Sequence, residues 1–306
     1  MGTGQFAIPS LEALVAHGYP VVGVVSQPPR PAGRNRRLTP PPVMEAAERL
    51  GLLVQTPKRL RAPESVVALA DLQPDLIVVA AYGQILPRTV LDLPPKGCLN
   101  VHGSLLPRWR GASPIQAAIL AGDEASGVTL MRMDPGLDTG PILARRSTPI
   151  EEQEAAPDLE VRLSSMGADL LVELLPSYLQ GLVAPVPQEE RLATYAPIIK
   201  KEDGLIDWSR AAVEIWRASR AYRAWPGSYS FWNGRLLKVA ACRPEGAGAA
   251  AGAPGTVVSL ESGREAGVAT GSGLLRLVEV ALEGGRPLPI RDFLLGHRDF
   301  VGSRLG

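Results

Sequence analysis

Leu99-Asn100-Val101-His102-Gly103-Ser104-Leu105-Leu106-Pro107-Arg108-Trp109-Arg110-Gly111 opens the stretch that organises this chain, and Asp134-Pro135-Gly136-Leu137-Asp138-Thr139-Gly140 closes it. An apolar lead-in makes 98–101 a buried strand, and side chains two apart on a strand share a face. Asn100 and His102 therefore project together from a strand end. Asp138 follows 36 residues after His102, in a glycine-flanked turn that can return beside it. Histidine moves protons near neutral pH. A carboxylate beside it stabilises the charged ring, and an asparagine N–H suits a developing oxyanion. The trio fits attack on a carbonyl without a covalent enzyme intermediate. No G-x-S-x-G elbow is present, so a hydrolase triad is not favoured. Taken singly, each residue is more often structural: a strand-end histidine is usually a hydrogen-bonded one, and an aspartate in D-T-G often only forms a turn.

Working outward, residues 21–25, 52–55 and 76–80 read as buried strands. Residues 44–50, 63–70, 87–91 and 114–121 read as helices. Strands alternating with helices imply right-handed crossovers and a Rossmann-like, mostly parallel α/β sheet. Ligands sit at the carboxyl ends of such strands, where Asn100 and His102 fall, and where 81–87 follows the strand at 76–80. Residues 127–133 read as a strand feeding the Asp138 turn. Leu159, Leu163, Met166, Leu170, Leu174 and Tyr178 recur at helical spacing and predict a helix covering the sheet. Residues 182–201 are proline-bearing and weakly periodic, which reads as a linker. Ser209 is positioned to cap a helix over 210–222. Asn233-Gly234 between 228–232 and 235–240 is a hairpin signal. Short strands at 256–260, 267–270 and 274–280 predict a small β-barrel.

Residues 100–116 and 136–140 resemble the folate-dependent formyltransferases, through Asn100-x-His102, Ser104-Leu105-Leu106-Pro107, Arg108-Trp109-Arg110-Gly111-Ala112, Pro114-Ile115-Gln116 and Gly136-Leu137-Asp138-Thr139-Gly140. The resemblance covers nearly the whole chain and is nearest to the branch acting on aminoacylated tRNA. It implies that Asn100, His102 and Asp138 are catalytic. It implies further that Ser104, Leu105, Leu106 and Pro107, with Tyr82, Gly83 and Ile85, line the site of 10-formyltetrahydrofolate, a consumed cosubstrate. No metal is needed for such a transfer. The implied reaction formylates the α-amine of methionyl initiator tRNA. The C-terminal part is implied to be an OB-like tRNA-binding domain, giving a catalytic domain at 1–181, a linker at 182–201 and a β domain at 202–306. Family members usually begin with a buried strand before G-T-P-x-F-A. Here Gly2-Thr3-Gly4-Gln5-Phe6-Ala7 starts the chain, so the first strand is expected to be missing, through a late start or truncation, with neighbouring strands left unpaired.

Charge is consistent with an RNA substrate. The net charge is only +1, but no acidic residue lies between Glu12 and Glu45, where Arg30, Arg34, Arg36 and Arg37 stand in a proline-rich stretch read as irregular loop. Arginines without acidic neighbours seek phosphate. Residues 200–306 carry 15 Lys/Arg against 11 Asp/Glu, including Lys200, Lys201, Arg220 and Arg223. The two cysteines, Cys98 and Cys242, make neither a metal motif nor a disulfide framework. Neither a membrane span nor a secretory signal is visible. A cytoplasmic monomer is expected. Two rivals share the motifs: a formyltransferase for a small amine such as a sugar nucleotide or glycinamide ribonucleotide, and an inactive scaffold that binds RNA. An NAD-type dehydrogenase is disfavoured, because no G-x-G-x-x-G follows an early strand.

Overall fold

In the computed structural model, residues 1–32, 37–245 and 252–306 are described. They form two compact units: 1–115, 124–149 and 158–197 make the first, and 116–123, 150–157 and 198–306 the second.

The first unit begins with helix α1 (Ile8–Ala16), strand β1 (Val24–Val25) and an exposed ribbon of β2 (Arg30–Ala32) and β3 (Arg37–Thr39). Helix α2 (Pro42–Arg49), strand β4 (Val54–Gln55), helix α3 (Pro63–Ala70), strand β5 (Ile77–Val79) and helix α4 (Arg88–Leu91) follow. Next come β6 (Cys98–His102), β7 (Arg110–Gly111), α5 (Pro114–Ala121), β8 (Ala125–Arg132), β9 (Ile142–Pro149), α6 (Ala156–Leu179) and β10 (Tyr195–Ala196). Strands β1 and β4 pair in parallel, as do β5 and β6. The remaining partners of the four-stranded sheet β5-β6-β8-β9 run antiparallel. The expected parallel, Rossmann-like pairing is thus present, and β8 and β9 add an antiparallel edge to it. Strands β8 and β9 follow each other with no helix between them, so they return as a hairpin rather than by crossover. Residues 142–149 give no clear strand signal in the sequence, because one face of β9 is exposed and carries arginine.

Strand β6 is central and buried at every position. Its Leu99 and Val101 face α6, which approaches so closely that a Cβ on Gly167 would meet Val101 Cγ1 at 2.6 Å. This leaves Asn100 and His102 for the opposite face. The buried leucines of α6 are Leu159, Leu163, Leu170, Leu171 and Leu175, while Met166, Leu174 and Tyr178 are half-buried. The covering stripe is rotated from the expected one because Gly167 is its point of closest approach. Gly167→Ala is expected to destabilise the first unit. The helix gains about 1 kcal/mol in propensity, but overpacking a fixed core costs about 1–3 kcal/mol. A melting temperature a few degrees lower checks this, and a rise would mean the helix yields.

Met1–Thr3 run between β1 and β5: Gly2 N donates to Val25 O at 3.0 Å and Ala80 N to Met1 O at 3.0 Å. The terminal ammonium donates to Val78 O at 2.6 Å, and burial lowers its pKa to about 6. Beyond it, a cavity of about 440 Å³ is lined by residues including Leu11, Leu14, Gly23, Leu72, Ile77 and Leu175. Cys98 is buried, and its thiol is pushed up to about 12 by that burial.

The ribbon of β2 and β3 corrects the reading of this stretch as irregular. Arg30 pairs with Thr39 and Ala32 with Arg37, and Pro31 is tolerated because the ribbon is all edge. Arg30 bonds Gln27 Oε1 through its guanidinium, and Arg37 is exposed. Arg34 and Arg36 lie outside the described residues.

The second unit holds α7 (Ala212–Ala221), β11 (Ser228–Trp232), β12 (Arg235–Glu245), β13 (Val257–Leu260), β14 (Glu265–Ala269), β15 (Leu274–Leu282), β16 (Leu288–Pro289) and α8 (Ile290–Gly296). Its antiparallel sheet has the order β11-β12-β15-β14-β13, with β16 beside β15. This is an open path with β11 and β13 as its ends, so the expected barrel is not closed among the described residues. Asn233 and Gly234 both take positive φ, 49° and 73°, as the hairpin turn requires. The cap of α7 is Ala211, whose N–H is met by Glu214 at 3.2 Å, whereas Ser209 bonds Asp207 instead. Arg220 is buried and not exposed for phosphate: it holds the carbonyls of Glu152 and Glu154 and lies 4.1 Å over Trp216. Lys200 and Lys201 are exposed.

Candidate active site

The expected trio converges at the carboxyl end of β6. His102 is 6% exposed, and its Nε2 lies 2.9 Å from the carbonyl of Trp109. A carbonyl only accepts, so Nε2 carries a hydrogen and Nδ1 is the nitrogen free to gain a proton. Nδ1 faces Asp138 Oδ2 at 3.6 Å, beyond a hydrogen bond but within ion-pair range once the ring is charged. The ring is thus oriented by a backbone carbonyl. Asp138 is the acceptor poised for the imidazolium.

Asp138 is itself fixed from two sides. Gly111 N donates to Oδ2 at 2.8 Å, and Asn100 Nδ2 donates to Oδ1 at 3.3 Å. Asp138 has φ of 53°, the left-handed region that aspartate tolerates better than most residues. Asn100 spends one amide hydrogen on Asp138. The turn before Asp138 is closed by Asp134, whose Oδ1 accepts from Gly136 N and Thr139 Oγ1.

The expected folate-lining residues fall into two groups. Ser104 is buried and donates to Arg108 O at 2.7 Å. Leu106 is buried against Met131 and Ile142. The Ser104–Pro107 backbone is held by Thr129, which donates to Ser104 O at 2.6 Å and accepts from Leu106 N at 3.1 Å. Arg145 donates to Leu106 O at 3.0 Å. Leu105 is half-buried and Pro107 buried. On the carboxyl side of the neighbouring β5, Tyr82 is buried, Gly83 has φ of 78° and Ile85 is 84% exposed. Gln27 Nε2 donates to the carbonyls of Tyr82 and Gly83. Strands β5 and β6 are parallel neighbours, so both loops leave the same edge of the sheet.

Sequence reasoning missed four contributors. The Trp109 carbonyl and Gly111 N–H are backbone groups, which residue identity does not reveal. The Gln188 side chain holds the Asp138 turn and the Arg110 side chain holds Gln188, but Gln188 lies in the stretch read as a linker. The one available signal was Arg110 itself, a charge inside an otherwise motif-rich segment.

A formyl transferase model matches residues 1–175, and a formyl transferase C-terminal domain model matches 198–298. The chain belongs to the formyl transferase family. A methionyl-tRNA formyltransferase of Citrifermentans bemidjiense is 48% identical over the whole chain and 95% of its own length. One from Chloroflexus aggregans is 49% identical over 97% of the chain and 96% of its own length. The fold also resembles the N-formyltransferase from Helicobacter canadensis solved with folinic acid and dTDP-3-aminofucose, with a TM-score of 0.65 at 18% identity, covering 90% of this chain and 96% of that one. At that identity only the fold of this formyl transferase is compared. Among its described residues, no helix is long and apolar enough to cross a membrane.

Proposed function

We propose that this formyl transferase moves the formyl group of 10-formyltetrahydrofolate to the α-amine of methionine on initiator tRNA. The observation that carries the reading is the pairing of a proton-accepting His102 Nδ1 with the Asp138 carboxylate at 3.6 Å, beside an amide donor. The amine nitrogen bonds to the formyl carbon while the carbonyl electrons move to oxygen. The second N–H of Asn100 meets that oxyanion. His102 Nδ1 takes the amine proton, and Asp138 stabilises the imidazolium. Collapse re-forms the carbonyl and breaks the bond from carbon to N10, which leaves with the proton returned by the His102 imidazolium. Folate is placed along the Tyr82–Ile85 and Ser104–Pro107 loops. The buried members shape the backbone there, and Ile85 offers its exposed side chain. The likeness to two methionyl-tRNA formyltransferases, 48% and 49% identical over nearly the whole chain, supports an aminoacyl-tRNA acceptor over a small amine.

The direct test is transfer of labelled formyl to methionyl initiator tRNA, free methionine and an amino-sugar nucleotide in parallel. Product on the tRNA alone is expected. Product on the sugar nucleotide with none on tRNA would overturn the acceptor assignment.

Arg30, Arg34, Arg36 and Arg37, with Lys200 and Lys201, are proposed to bind phosphate. The ribbon of β2 and β3 presents the described arginines with exposed neighbours such as Leu38. Removing Arg37 is expected to weaken tRNA binding and to make the salt dependence of log K shallower by roughly 0.7–0.9 for each phosphate that is no longer neutralised. Filter binding across a salt series reads this. An unchanged slope would take Arg37 off the interface.

A further inference from the structure

We propose that Gln188 is a positioning residue for formyl transfer, a clamp that fixes Asp138 against His102. The side-chain amide of Gln188 turns both its donated bonds to this task. Its Nε2 donates to the carbonyls of Asp138 and Gly140, both at 2.8 Å. Its Oε1 accepts from Arg110 Nε at 3.1 Å. Arg110 is 1% exposed, and its charge is met by both oxygens of Glu190, at 3.0 and 2.9 Å. A buried guanidinium is held in place by such pairing, because an unpaired charge there is costly. Arg110 therefore presents a fixed donor, which sets the way the Gln188 amide faces and leaves its N–H groups for the Asp138 turn.

The same segment grips the other loop of the site. Arg110 N donates to Thr194 O at 2.9 Å, Trp109 N to Thr194 Oγ1 at 2.9 Å and Ala112 N to Ala196 O at 2.9 Å. Gly111 has φ of 113°, and a Cβ there would lie 2.6 Å from Ala196 O. Residues 188–196 thus hold Trp109, whose carbonyl orients His102, and Gly111, whose N–H binds Asp138. Just before this segment, Val186 bonds Ile142 in both directions at 2.8 Å. The geometry of the proton-accepting pair is set by a strap lying between the residue ranges of the two family models, not by the motifs alone. Gln188 touches none of the reacting groups and acts through Asp138.

The inference rests on the formyl-transfer reading for its kinetic arm only. Gln188→Glu keeps the shape but replaces both donated hydrogens with acceptors facing two carbonyls. Gln188→Ala removes them. Both are expected to lower kcat by roughly 10–100-fold with KM for folate and tRNA within about twofold, as a small misplacement of a reacting group does. In an Asp138→Ala background, Gln188→Ala is expected to add little, because residues acting as a unit are non-additive. Multiplicative losses, or an unchanged kcat, would overturn the clamp. Amide exchange at Gly111 reads the clamp without any assay of transfer. Protection there is expected to fall about tenfold or more in Gln188→Glu, since its acceptor is Asp138. Unchanged protection would overturn the clamp too. A wild-type chain that transfers no formyl would count against the reaction, while the exchange result would still decide the clamp.

Discussion

His102→Ala is expected to slow formyl transfer by about 10²–10⁴-fold, the range that a positioned acid–base group contributes. An amine that has attacked a carbonyl carries a proton it must lose before the intermediate collapses forward. His102 Nδ1 is the nitrogen open to take it, because Nε2 is committed to the Trp109 carbonyl at 2.9 Å. The ring is 6% exposed, so removal also frees a buried carbonyl and leaves space in the loop. His102→Gln separates these effects: its amide N–H can satisfy the Trp109 carbonyl but cannot accept a proton with useful basicity. Both variants are expected to fall together in single-turnover rate. A His102→Gln enzyme near the wild-type rate would show that the ring's role is to hold Trp109.

Asp138→Asn is expected to cost about 10²–10³-fold. A unit charge about 4 Å from an imidazolium interacts by on the order of 4 kcal/mol at an effective dielectric near 20. That places the ceiling for loss of the charge at about 10³-fold. Asparagine tolerates the left-handed backbone that Asp138 adopts, at φ of 53°, and keeps an oxygen for the Gly111 N–H. The substitution therefore removes charge without backbone strain, and sets an amide nitrogen against Asn100 Nδ2 where Oδ1 accepts in the native chain. The loss is expected in kcat, with folate and tRNA affinity within about twofold. A loss confined to folate KM would instead assign Asp138 to substrate binding.

The site was legible where chemistry and spacing coincide. Asn100 and His102 share a face because they are two apart on β6, and Asp138 returns in a turn built by Asp134 and Thr139. What orients them was not legible. The Trp109 carbonyl and Gly111 N–H belong to the backbone. The pairing of β7 with β10 joins only Arg110–Gly111 to Tyr195–Ala196, too short to leave a periodic signal. In the fold, strong apolar runs marked β5 and β6 correctly, and Asn233-Gly234 marked the β11–β12 turn. The β8–β9 hairpin was missed because β9 alternates exposed arginine and serine with half-buried residues. Arg220 looked like a surface cation, and only tertiary packing over Trp216 turned it inward.

The central claim is that His102 and Asp138 act as one proton-accepting unit in formyl transfer. A double-variant cycle tests it most directly, using single-turnover transfer of labelled formyl from 10-formyltetrahydrofolate to methionyl initiator tRNA at saturating enzyme. The account predicts that His102→Ala combined with Asp138→Asn is about as slow as His102→Ala alone, because the charge has no role once the ring is gone. Losses that multiply would contradict it, and would mean that the two side chains serve separate steps.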